Sequence, residues 1–86
     1  MKRRAQAVWN GSLKEGGGKI TTQSAVLNNT KYDFKSRFGD GKSTNPDELL
    51  AAAHAGCFAM ALSLILGQAG FTADSLDVTA VVNMDA

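Results

Sequence analysis

From Asn45 to Gly70 this chain reads as one long helix that is apolar on every side. Asn45 suits an N-cap and Pro46 the first helical position. Glu48 stands where a capping box puts its carboxylate. Asp47 and Glu48 both favour the positive end of the helix dipole. Leu49 to Leu66 carries no formal charge and no proline and is rich in Ala, Leu and Met. Gly67 and Gly70 offer the stop. About 24 residues at 1.5 Å each give a rod of roughly 36 Å, about twice the usual helix length. A helix without a polar face is stable only when something surrounds it.

The rest of the chain supplies little to surround it with. Eighty-six residues make one small domain at most. Ala5 to Trp9 alternates small apolar and polar residues, and Asn10-Gly11 reads as a turn. Lys14 to Lys19, with three consecutive glycines, reads as a flexible loop. Strands are expected over about 4–10, 19–27 and 31–38, the last with Tyr32, Phe34, Ser36 and Phe38 on one face. A polar loop over 39–44 leads to the helix at about 46–69. A further strand over about 75–84 puts Leu76, Val78, Ala80 and Val82 on one side. The fold class is α+β: a three-stranded antiparallel sheet, a long central buried helix, then one strand with no partner. A sheet of three strands covers one face of a helix, so the chain is expected to work as part of something larger or as two intertwined copies.

Composition narrows the function classes. A formal net charge of +1 gives no electrostatic reason to expect a nucleic-acid partner. A single cysteine excludes an internal disulfide framework and suits a reducing compartment. One Cys and one His fall short of the four ligands zinc takes. The basic start, Lys2-Arg3-Arg4, is followed by a segment too short and polar for a signal peptide. Leu49 to Leu66 has the length of a membrane span, with a small-residue ridge at Ala51, Ala55 and Ala59. Its alanine content, His54 and missing aromatic belts favour a buried helix instead. Gly41-Lys42-Ser43-Thr44 copies the end of a phosphate-binding loop, but position 36 is Ser where that motif needs Gly.

Chemistry centres on Cys57, near the middle of the helix. At 100° per residue Glu48 lies on the opposite face. Asp47 lies about 80° away and some 15 Å along the axis. Neither carboxylate reaches the thiol directly. Asp47 can orient a third group, and Arg37 has the reach and the planar fork to meet both a carboxylate and a thiolate. A guanidinium beside Cys57 would lower the thiol pKa and make it a nucleophile. His54, one turn earlier, is a second candidate activator. Spacing alone leaves the ordinary readings open: a small core cysteine, a core histidine, a solvated arginine and a helix-dipole carboxylate.

The segments Ser36-Arg37-Phe38 and Thr44-Asn45-Pro46-Asp47-Glu48-Leu49-Leu50, continuing through Ala53-His54-Ala55-Gly56-Cys57-Phe58-Ala59-Met60 to Ser63, resemble the OsmC branch of the OsmC/Ohr family. Val8-Trp9-Asn10-Gly11 and Gly67-Gln68-Ala69-Gly70-Phe71-Thr72 are similar as well. The resemblance implies a bacterial, cytoplasmic thiol peroxidase that reduces organic hydroperoxides, and hydrogen peroxide more weakly, in oxidative and osmotic stress defence. It implies no metal or flavin, an external dithiol reductant of the dihydrolipoyl type, and an intertwined homodimer with sites at the subunit interface. It puts Cys57 on the peroxidatic cysteine and Arg37 on the arginine that polarises the peroxide. Asp47 falls on the acid that pairs with that arginine, where the family usually has glutamate. Glu48 keeps its capping role, and His54 stays auxiliary. The family's resolving cysteine, on a later helix, has no counterpart in these 86 residues, which look like the family's N-terminal half. A full catalytic cycle within this chain is therefore not expected. A non-catalytic dimerisation module is the alternative.

Overall fold

A computed structural model describes residues 1–39 and 42–83. Contacts within the chain group it into two compact units, Met1–Pro46 and Asp47–Ala86.

The first unit is the sheet. Strand β1 (Ala5–Asn10) pairs antiparallel with β2 (Gly17–Thr22), and β2 with β3 (Thr30–Tyr32), in the order β1-β2-β3. The register sets Trp9 opposite Gly18 and Gly18 opposite Tyr32. Glycine is weak in strands by propensity, yet here it is the structural choice. The Trp9 and Tyr32 rings meet across β2 with centroids 5.4 Å apart. A methyl group on Gly18 would run into the Tyr32 ring and come within 2.8 Å of Trp9 Cε3. The glycine run expected as a loop thus enters the sheet at Gly17.

Two other boundaries differ from the sequence expectation, each for a hydrogen-bonding reason. The strand expected to reach position 27 ends at Thr22. There the Thr22 Oγ1 accepts from Leu27 N–H at 3.2 Å and Thr22 N–H donates to the Leu27 carbonyl at 2.8 Å, closing a loop on itself. Ala25 takes a positive φ within that loop, and Asn29 another just before β3. The strand expected over 31–38 stops at Tyr32 and gives way to a 3-10 turn, Lys35–Arg37. Asp33 Oδ1 accepts the Ser36 N–H at 2.8 Å, which offers the backbone an alternative to the ladder. Phe34 and Phe38 then pack edge to face, centroids 5.1 Å apart. A spacing of four fits one turn of helix as well as one face of a strand, and that is why the alternation misled. Thr44 returns to β3, its N–H donating to the Lys31 carbonyl at 3.3 Å.

The second unit is the helix α1 (Pro46–Gln68), followed by an extended segment. Gly70, at φ +89°, ends α1 in a Schellman motif: Phe71 N–H donates to the Leu66 carbonyl and Gly70 N–H to that of Gly67. By length and composition α1 is apolar enough to cross a membrane, the competitor raised by the sequence. No residue of α1 is buried. Ala51, Ala55, Ala59, Leu62 and Leu66 form a half-buried stripe, and Leu76, Val78 and Ala80 are half-buried at every second position. Ala55, Gly56 and Ala59 line one shallow depression together with Ser75 to Val78, so the small-residue ridge lies beside the returning chain. The strand expected over 75–84 pairs with nothing among the described residues, and 75–83 has no regular secondary structure. Position 84, like Asp40 and Gly41 of the polar loop, lies outside the described residues.

Candidate active site

The first unit holds an apolar cleft. Trp9 comes from β1, Leu13 from the β1–β2 loop and Tyr32 from the end of β3. Asp33 and Phe34 follow, with Arg37 from the 3-10 turn and Pro46 at the far side. Gly18 makes room for the two rings of its floor, and the Trp9 indole N–H donates to the Gly11 carbonyl at 3.1 Å. Arg37 is half-buried, with Cζ 6.0 Å from the Phe34 ring centroid, the outer range of a cation–π contact. A guanidinium on an apolar wall offers a polar oxygen two or more donors. The aromatic lining suits a hydrocarbon tail.

Arg37 itself belongs to a turn fastened at several points. Ser36, the residue before it, is buried. The Ser36 Oγ lies 3.0 Å from the Asp33 carbonyl and 2.9 Å from the Thr44 carbonyl, so its one proton is shared between them. The Ser36 carbonyl accepts from Asn45 Nδ2 at 2.9 Å, and Asn45 is buried too. Asp33 closes the set through Ser36 N–H. That bond holds the Asp33 carboxyl below its ordinary value of 3.8, with further lowering from the Ser36 and Ser43 side chains and Lys31.

The remaining candidates lie on α1. Cys57 is a free, exposed thiol. Asp47 and Glu48 occupy the first turn. His54 sets its ring against Phe58 one turn on, centroids 6.4 Å apart at 48°. Arg37 thus belongs to the first unit and Cys57, Asp47, Glu48 and His54 to the second. Arg37, expected on a strand, sits instead in a turn. The sequence assigned no site role to Trp9, Tyr32, Phe34 or Ser36. One signal was present: Asp33 three residues before Ser36 is the spacing of a side-chain-capped turn.

Residues 39–86 match the family model described as OsmC-like protein. The chain belongs to the OsmC-like family. It is 54% identical over 83 residues to Peroxiredoxin OsmC of Escherichia coli (strain K12), and equally to that of Shigella flexneri. Those 83 residues are 96% of this chain and 58% of each relative, so the OsmC-like chain spans little more than half their length. The matched family segment contains Asp47, Glu48, His54 and Cys57. Both relatives are named peroxiredoxins, which places the family among peroxidases.

Proposed function

We propose that this chain serves a cysteine-based peroxidase that reduces organic hydroperoxides, and hydrogen peroxide more weakly, with Cys57 as the peroxidatic thiol. The observation that carries the reading is the Arg37 guanidinium on the wall of an apolar aromatic cleft, in a chain whose relatives are named peroxiredoxins. In this reading Arg37 holds the Cys57 thiolate and the peroxide, and Asp47 orients the guanidinium from the first turn of α1. The thiolate attacks one peroxide oxygen and the O–O bond breaks. The leaving alkoxide takes a proton and departs as an alcohol, and Cys57 becomes a sulfenic acid. Arg37 favours this step because it stabilises both the thiolate and the developing alkoxide. The step that these residues carry ends at the sulfenic acid. In the family's cycle a resolving thiol condenses with it to a disulfide, releasing one water. An external dithiol of the dihydrolipoyl type reduces that disulfide and is itself oxidised to one. No metal or flavin takes part. The protein works in the cytoplasm as a homodimer in oxidative and osmotic stress defence.

The test is rapid-mixing measurement of the first turnover with an alkyl hydroperoxide. One equivalent is consumed quickly, and Cys57→Ser abolishes the loss. Unchanged consumption in Cys57→Ser sinks the proposal. A second reading, a non-catalytic dimerisation module, draws on the absence of any buried residue in α1. It requires a stable dimer whose Cys57 does not react with peroxide.

A further inference from the structure

Among the described residues, the buried side chains are not apolar. They are Ser36 and Asn45, at 9% and 8% exposure, and no hydrophobic residue joins them. A small domain that buries two polar side chains and no apolar ones has not placed them there for hydrophobic stability. Burial of polar groups is tolerated only when they are hydrogen-bonded, and these are: Asn45 Nδ2 to the Ser36 carbonyl, Ser36 Oγ to the Asp33 and Thr44 carbonyls. The peptide unit that receives the Asn45 bond is the one joining Ser36 to Arg37.

We infer that Asn45 and Ser36 are positioning residues for Arg37. They fix the backbone of the turn so that the guanidinium is presented in one place, and neither touches the peroxide itself. The inference rests on the reading that Arg37 serves Cys57.

The geometry explains why these residue types are used. The Ser36 carbonyl needs a donor, which an amide supplies and an ionised carboxylate does not. Ser36 is short enough to be enclosed, and its hydroxyl reaches the strand end on one side and the segment before α1 on the other. Arg37 has a long side chain with high rotamer freedom, so its placement depends on a fixed Cα. Displacing a charge by about 1 Å from a reacting centre can lower a rate by as much as ~100-fold.

Asn45 also precedes Pro46, where an N-cap is expected, so a plain truncation would mix two effects. Asn45→Ser separates them. Serine caps a helix about as well as asparagine, but its hydroxyl is too short to reach the Ser36 carbonyl. Ser36→Ala removes the two hydroxyl contacts and leaves that carbonyl in place. Each change is made alone and together with Arg37→Met, in the protein as its gene encodes it. Two quantities are read: the rate constant of the first turnover with cumene hydroperoxide, and the pH midpoint of Cys57 alkylation by iodoacetamide.

With Arg37 present, Asn45→Ser and Ser36→Ala each slow the peroxide step about tenfold and move the alkylation midpoint up toward that of Arg37→Met. In the Arg37→Met background the same changes alter the rate by less than about twofold, because residues acting through one group are not additive. Equal slowing in both backgrounds, or none in either, overturns the inference and leaves the Cys57 and Arg37 chemistry standing. An Arg37→Met protein that keeps the full rate, while Cys57→Ser remains inactive, overturns both the role of Arg37 and the inference built on it.

Discussion

The turn around Arg37 and the helix around Cys57 are held in opposite ways. The turn, with no buried apolar side chain, is fastened by hydrogen bonds among Asp33, Ser36, Thr44 and Asn45 and by the edge-to-face pair Phe34 and Phe38. The helix is made almost entirely of apolar residues and buries none of them, with Leu50, Met60, Leu64 and Ile65 each at least 60% exposed. A chain can finish a polar, local structure by itself, because the hydrogen-bond partners lie three to nine residues apart. It cannot finish an apolar rod that way. Isolated helices draw little stability from propensity, and most of it comes from packing that must be supplied across a large surface. The arginine therefore sits in a region held by its own hydrogen bonds, and the thiol on an apolar helix whose stability would need a cover.

The largest expected effect tests that cover. If a second copy lies over α1, the helical circular-dichroism signal falls on dilution, because the folded state is then linked to association. Met60 and Leu64 are one turn apart and exposed at 75% and 63%. Replacing both by Gln on an uncovered helix changes stability little. Under a second copy it forfeits a few kcal/mol of apolar burial and weakens association by roughly 100-fold, read by analytical ultracentrifugation. An unchanged association constant shows that this face is not the one covered.

A smaller effect is expected on the other side of the comparison. Gly18→Ala puts a methyl group into the Trp9 and Tyr32 rings, and an overpacked site of this kind costs about 1–3 kcal/mol. Trp9 is the only tryptophan, so urea unfolding followed by its fluorescence reports on this unit alone. The midpoint moves down, while the helical signal of α1 is affected less. A coincident loss of both signals would mean that the two regions unfold as one and would break the contrast between them.

Legibility in the sequence followed the same division. The helix could be read almost to the residue, 46–69 against Pro46–Gln68, because its signals are local: a proline start, acidic first turn and glycine stop. The existence of the three strands and their antiparallel pairing were legible for the same reason. Their ends were not. Gly17 and Gly18 look like a loop until the rings that need the space are known, and Thr22 looks like mid-strand until its hydroxyl meets Leu27. The candidate residues could be named from the resemblance, but the turn that carries Arg37 was hidden. Phe34 and Phe38 satisfy a period of two and a period near four alike. The aromatic cleft was invisible, since it depends on the register that sets Trp9 and Tyr32 on either side of Gly18.

The smallest effect concerns the outer bond of the turn. Asp33 accepts the Ser36 N–H chiefly as a carboxylate, and this lowers its pKa in the folded chain below the ordinary 3.8. A depressed carboxyl contributes stability that is fully present above the unfolded value, about 3.9, and is lost as pH falls through the folded one. The turn is therefore insensitive to pH around neutrality and loosens only below about pH 4. Carboxyl-detected NMR titration of Asp33 gives the midpoint directly, and added salt changes it modestly because the group is open to solvent. In Asp33→Asn the acid-dependent change in Trp9 fluorescence flattens, since the amide oxygen still accepts the bond and no longer titrates. The Asn45–Ser36 bond, buried and between neutral groups, has no such dependence. A turn that opened fully on protonation of Asp33 alone would show that the Asp33 bond holds Arg37 in place, not the buried pair.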